Sequence, residues 1–133
     1  MDYERPRLLL VQHNQQTADI TSFRLQLLGY DVVSLKRGED VPQSVELQLP
    51  DLLLVESRLP GIDGFEVTSR LRANERTAAI PVLICSPDSS RESVRNAFSA
   101  GADDYLIMPF DPATLENKVE SLLANGRVVA VQE

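Results

Sequence analysis

Among the residues of acid–base or nucleophilic type, three invite a joint reading: His13, which is the only histidine, Glu56 and Ser86. On paper they compose a hydrolytic triad. Ser86, however, stands in Ile84-Cys85-Ser86-Pro87-Asp88, with no Gly-x-Ser-x-Gly elbow to present its hydroxyl at a sharp strand-to-helix turn. The glycine-rich loops that cradle nucleotide phosphates are also absent. His13, Asn14 and Glu56 make a thin metal-binding set without a second histidine. A His13–Glu56 contact would be pH-sensitive, because imidazole is the side chain that titrates near neutrality. Residue types alone therefore support no enzyme, and a non-enzymatic binding module is the expectation.

The elements that position these residues can be read from apolar patterning. Leu8-Leu9-Leu10-Val11, Leu52-Leu53-Leu54-Val55, Val82-Leu83-Ile84-Cys85 and Tyr105-Leu106-Ile107 are continuous apolar runs, as expected of strands covered on both faces. Asp31-Val32-Val33-Ser34-Leu35 is more polar and reads as an edge strand. Helical spacing fills the intervals, with apolar faces formed by Ile20, Phe23, Leu27 and Leu28, by Phe65, Val67 and Leu71, by Val94, Ala97 and Phe98, and by Leu115, Val119, Leu122 and Leu123. A short second helix is expected from Glu39 to Leu47, with Pro42 tolerated in its first turn. Gly29 and Gly101 end helices, Pro60-Gly61 and Asp63-Gly64 bracket the loop after the third strand, and Asp111-Pro112 opens the last helix. Five strands alternating with five helices predict an α/β fold built on a doubly wound parallel sheet.

The bulk properties narrow the function. At 133 residues the chain is expected to form one domain with a sizeable core. Its net charge of -7 and pI near 4.7 argue against direct nucleic-acid binding, which favours a basic face. The lone Cys85 lies within an apolar run and reads as a small buried hydrophobe. No stretch approaches the roughly 20 apolar residues of a membrane span, and Met1 to Pro6 has no apolar signal core. A soluble, cytoplasmic protein without a membrane partner is the expectation.

Three segments, in order and at consistent spacing, carry a family resemblance. Asp51 to Gly64 reads Asp-Leu-Leu-Leu-Val-Glu-Ser-Arg-Leu-Pro-Gly-Ile-Asp-Gly. Ile80 to Ser86 reads Ile-Pro-Val-Leu-Ile-Cys-Ser, and Gly101 to Phe110 reads Gly-Ala-Asp-Asp-Tyr-Leu-Ile-Met-Pro-Phe. Together they resemble the receiver domain of two-component response regulators over residues 6–124. Residues 125–133 would be a tail or the start of a linker. The resemblance implies a flavodoxin-like (βα)5 fold with strand order 2-1-3-4-5 and a site at the carboxyl ends of strands one, three and four. It also implies a cis bond between Met108 and Pro109, and marks Asp103 and Asp104 as a family feature without a catalytic role.

Set on that resemblance, the charged positions of the pocket have changed. Where the family has two acids that hold Mg²⁺, this chain has Gln12 and His13. Magnesium favours hard oxygen donors, usually carboxylates, so Gln12 and His13 are poor substitutes. The phosphoacceptor position holds Glu56, one methylene longer than aspartate. The phosphate-reading lysine is replaced by Met108, whose thioether has no charge and no donor. The switch hydroxyl survives as Ser86 and the switch aromatic as Tyr105, while Pro87 restricts the loop between them. In-line phosphoryl transfer depends on positioning and on cations that neutralise charge, and those groups are missing together.

The resemblance therefore implies an atypical, phosphorylation-independent receiver that works as a protein–protein interaction module in signalling, without a metal or other cofactor. Its partner would be another signalling protein or effector domain. The face formed by helix four, strand five and helix five, with Tyr105, Phe110, Arg91 and Arg95, would serve that partner or a homodimer. Two alternatives are a ligand-sensing module, with an apolar pocket around Met108 and Gln12, and a conventional receiver phosphorylated on Glu56.

Overall fold

The computed structural model describes residues 5–126. Five parallel strands, β1 (Arg7–Val11), β2 (Asp31–Leu35), β3 (Leu52–Glu56), β4 (Val82–Ser86) and β5 (Asp104–Ile107), form one sheet in the order β2-β1-β3-β4-β5. They alternate with the helices α1 (Gln15–Leu27), α2 (Val41–Leu47), α3 (Gly64–Ala73), α4 (Arg91–Ala100) and α5 (Pro112–Asn125). This is the doubly wound, flavodoxin-like order expected from the sequence. The continuous apolar runs are buried on both sides: odd-numbered Leu9 and Val11 pack with Val41, Val67, Leu71 and Ala97, even-numbered Leu8 and Leu10 with Ala18, Leu25, Leu115 and Val119. Helices α2, α3 and α4 thus cover one face, and α1 and α5 the other. Strand β2 lies at the edge, as its polar composition predicts, and none of its residues is fully buried.

Local signals set the helix starts. Asn14, Asp63 and Ser90 accept hydrogen bonds from the main-chain N–H of Thr17, Glu66 and Ser93, capping α1, α3 and α4. Pro112 occupies the first turn of α5, where its missing N–H costs nothing. The segment read as one short helix from Glu39 divides into a 3-10 turn at Gly38–Asp40 and the α-helix from Val41, with Pro42 in the first turn. At Gly64 a Cβ would collide with the Glu56 carbonyl oxygen, so the bare backbone lets α3 begin directly against the end of β3.

One expected face is reversed. Helix α1 packs on the sheet through Ala18, Thr21 and Leu25, whereas Ile20, Phe23, Leu27 and Leu28 are 63%, 59%, 70% and 47% exposed. Helical spacing identifies a stripe but not the side that meets the sheet, and here the small residues let α1 approach the strands closely. Phe98 of α4 is likewise 46% exposed, although Ala97 beside it is fully buried. Of the tail read from residue 125, Asn125 still closes α5 and Gly126 caps it, while residues 127–133 lie outside the described residues.

Candidate functional site

The carboxyl ends of β1, β3 and β4 converge as their register requires: Val11 pairs with Val55, and Glu56 with Cys85. Gln12 follows β1 and is buried to 1% exposure, with its Oε1 lacking any hydrogen-bond partner. A neutral carbonyl oxygen thus sits desolvated where a charged acid would demand a cation. His13 points outward into solvent, and its main-chain N–H donates to Glu56 Oε1 at 2.8 Å. The His13–Glu56 contact read from the sequence is therefore real but runs through the backbone, and the imidazole has no part in that bond. Among the described residues, no cluster of three or more His, Cys, Asp or Glu side chains is placed to hold a metal ion.

Ser86 is fully buried at the end of β4. Its Oγ accepts from Ser57 Oγ at 2.7 Å and from the Asp88 N–H at 3.1 Å, which occupies both lone pairs. Tyr105 is turned inward and is 7% exposed. Its hydroxyl donates to the Asp88 carbonyl at 2.6 Å and lies 2.7 Å from Ser93 Oγ. The Asp88 carboxylate in turn accepts from the Ser90 N–H at 2.8 Å. That hydrogen bond, reinforced by the Ser90 hydroxyl and by the nearby Arg58 charge, holds the Asp88 carboxyl below the usual aspartate range. Asp88 thus joins Ser86, through its N–H, to Tyr105, through its carbonyl. Ser57, Asp88 and Ser93 complete a chain of neutral hydrogen bonds that no motif announces. The one sequence cue is the hydroxyl of Ser57 directly after the last strand residue, on the side of the sheet that must be buried.

Met108 is half-buried and packs against the core between α1, α5 and the sheet. Together with Pro87, Pro109, Phe110, Thr17, Ile20 and Thr21 it borders an open, mainly apolar groove of about 430 Å³. Gln12 is not part of that lining, so the roomy pocket around Met108 and Gln12 is instead a surface groove beside α1. The bond between Met108 and Pro109 is cis, as the resemblance implies. The remaining expected residues divide between two sides. Arg91 and Arg95 are exposed on α4, whereas Phe110 is half-buried on the α1–α5 side of the sheet. Tyr105 lies inside, so only its packing, not its surface, can reach a partner. The exposed apolar side chains on the α4–β5 side are Phe98 and Ile107, each at 46%.

Residues 8–120 match the family described as the response regulator receiver domain. The chain belongs to that family. It is 40% identical over 119 residues to the DNA-binding dual master transcriptional regulator RpaA of Synechocystis sp., covering 89% of this chain and 49% of that protein. It is 26% identical to the phosphate regulon transcriptional regulatory protein PhoB of Rhizobium meliloti, over 92% of this chain and 54% of that one. The chain thus spans about half the length of the curated relatives it matches. Among solved structures, a putative response regulator from Chloroflexus aurantiacus superposes with a TM-score of 0.88 at 33% identity, covering 91% of this chain and 99% of the other. The receiver domain of a Pseudomonas aeruginosa sensor histidine kinase, solved with a magnesium ion in its active-site cleft, gives 0.84 at 29% identity, covering 91% and 99%. No helix among the described residues is long and apolar enough to cross a membrane.

Proposed function

We propose that this receiver signals without phosphorylation, as a non-enzymatic module whose output is the binding of another protein. The observation that carries this reading is how the acceptor carboxylate is used. Glu56 is tied to the main-chain N–H of His13, and Ser86 is tied to Ser57 and Asp88. The acceptor carboxylate thus takes a main-chain N–H as a donor. The donors around Glu56 do not fit Mg²⁺. Gln12 offers one neutral, buried oxygen and His13 faces solvent, while octahedral Mg²⁺ leans on carboxylates. Without the cation and a lysine, nothing neutralises the charge that develops in phosphoryl transfer.

The inward Tyr105, held by two hydrogen bonds, supports a domain fixed in one arrangement rather than one that toggles. The face of α4, β5 and α5, with Arg91, Arg95, Phe98 and Ile107 exposed, is the place for an effector domain or signalling protein. The curated relatives are transcriptional regulators twice as long, which supports an effector domain as that partner. Incubation with acetyl phosphate or phosphoramidate and Mg²⁺, followed by intact mass, tests the reading. An unmodified mass is expected, and a phosphoryl adduct mapped to Glu56 overturns it.

A further inference from the structure

The exposed stripe of α1 is more than a scatter of surface apolar side chains. Ile20, Phe23 and Leu27 are separated by three and four residues, and Gln16 lies four before Ile20. This 4-3 alternation is the spacing of the core positions of a coiled coil, with Ile20 and Leu27 as a positions and Phe23 as d. All three side chains are more than half exposed and lie opposite the buried Ala18, Thr21 and Leu25. A helix with one face on the sheet and a heptad seam toward solvent is built to receive a second helix.

The flanks of the seam say which helix. In heptad register the e and g positions are Thr17, Asp19, Arg24 and Gln26. Asp19 at g and Arg24 at e are five residues apart, the separation that brings g of one strand to e of the other in a parallel, two-fold pair. These flanks sum to zero charge on a chain of net charge -7. Counting Glu116 of α5, which pairs with Arg24, the seam carries two carboxylates and one cation, so Asp19 of one copy and Arg24 of the other remain the complementary pair across it. Arg24 is already held at the surface by Glu116 of α5, at 3.0 Å, and its forked guanidinium can take a second carboxylate. Ile20 also borders the groove of Met108, Pro109 and Phe110, which extends the apolar surface beyond the helix itself.

We propose that α1 is the self-association element of this protein: two copies pair their α1 helices in parallel, each of Ile20, Phe23 and Leu27 meeting its own counterpart and Asp19 facing Arg24 of the other copy. This leaves the α4–β5–α5 face free for the effector, and it does not depend on how the acceptor pocket is read. A seam less than two heptads long buries a modest area. The dimer is therefore in exchange with monomer, with a dissociation constant on the order of 10 µM.

Sedimentation of the 133-residue chain over a concentration series is the first test. A concentration-dependent dimer is expected, weakened at least about tenfold by Phe23→Glu, a central exposed anchor, and unchanged by Arg91→Glu on the other face. Folding of each variant is checked by far-ultraviolet circular dichroism. Ile20→Cys and Leu27→Cys, treated singly with a short bismaleimide, are each expected to crosslink to themselves. Cys85 does not interfere, because it is buried in β4 and its thiol is pushed up to about 12 by burial. A chain still monomeric on the order of 1 mM overturns the proposal. So does a dimer that survives Phe23→Glu, or crosslinking that needs the two cysteine variants mixed, the mark of an antiparallel pair.

Discussion

The two ends of the sheet treat charge in opposite ways. At the amino end, Arg72 of α3 donates to Asp103 Oδ2 at 2.9 Å and also to the carbonyls of Gly101, Ala78 and Ile80. Asp103 accepts from the Val82 N–H as well, and the side chains of the pair are only 12% and 3% exposed. One ion pair thus ties α3 to the start of β4, the end of α4 and the approach to β5. At the carboxyl end, Gln12 and Met108 are neutral, and Ser57, Ser86, Tyr105 and Ser93 are linked by hydroxyls through the Asp88 backbone. The buried charge that remains in this fold is structural. The difference teaches that a buried ion pair persists at one end where the main chain hydrogen-bonds both partners, while the buried hydroxyls at the other end are linked without charge.

Removing one partner of the buried pair gives the largest expected effect. Arg72→Leu leaves Asp103 desolvated and uncompensated, which costs about 3–5 kcal/mol of stability in urea unfolding. Replacing both, as Arg72→Leu with Asp103→Asn, recovers much of that loss, since it removes the orphaned charge. A single variant as stable as wild type would place the ion pair among surface decorations and erase the contrast between the ends.

The hydroxyl chain is neutral and so contributes less. Tyr105→Phe keeps the ring but leaves the Asp88 carbonyl and Ser93 Oγ without that partner, a loss of roughly 1–2 kcal/mol. Hydrogen exchange of the loop between β4 and α4 is expected to accelerate in the same variant, and unchanged protection there would show that Tyr105 does not hold the loop. Gln12→Met runs the other way. It replaces a buried, unpartnered carbonyl with an apolar side chain of similar volume, and a gain of about 1 kcal/mol is expected. A loss in the same urea titration would mean that the Gln12 amide makes an essential contact.

How far the sequence went differs between these regions for physical reasons. The three central strands were legible because burial on both faces writes a continuous apolar run, the edge strand β5 because Tyr105 and Leu106 are buried, and the edge strand β2 because it stays polar. The placement of Gln12, His13, Glu56 and Met108 at the carboxyl ends of the strands was legible because the motifs around them fix their register. The outward turn of α1 was not. Its inner face consists of Ala18, Thr21 and Leu25, less apolar than the outer stripe, so periodicity alone selected the wrong side. Ser57, Asp88 and Ser93 were missed because their bonds cross between separate elements, and only the folded loop brings Asp88 to both Ser86 and Tyr105. Phe110 was assigned to the α4 side because the chain order places it next to β5, whereas its ring packs toward α1.

The smallest effect concerns the one carboxylate that the hydroxyl chain retains, and it tests whether the carboxyl end is electrostatically quiet. The Asp88 carboxyl is depressed first by the Ser90 N–H, then by the Ser90 hydroxyl, with Arg58 adding to both. A group depressed in the folded state stabilises it fully above its unfolded value of about 3.9, and that contribution disappears as the pH falls through the folded value. Asp88→Asn keeps an acceptor for the Ser90 N–H but lacks the charge. The stability gap between wild type and Asp88→Asn is therefore constant from neutrality down to about pH 5, then narrows and closes below the folded value. Urea midpoints measured across that range decide it. Because Asp88 is only half-buried and solvent screens its carboxylate, the gap is small and shrinks further in high salt, while the cost of Arg72→Leu at the buried end hardly changes. A gap at Asp88 that resists both acid and salt would mean that the carboxylate acts through geometry alone, and the loop between β4 and α4 would then be held without any help from charge.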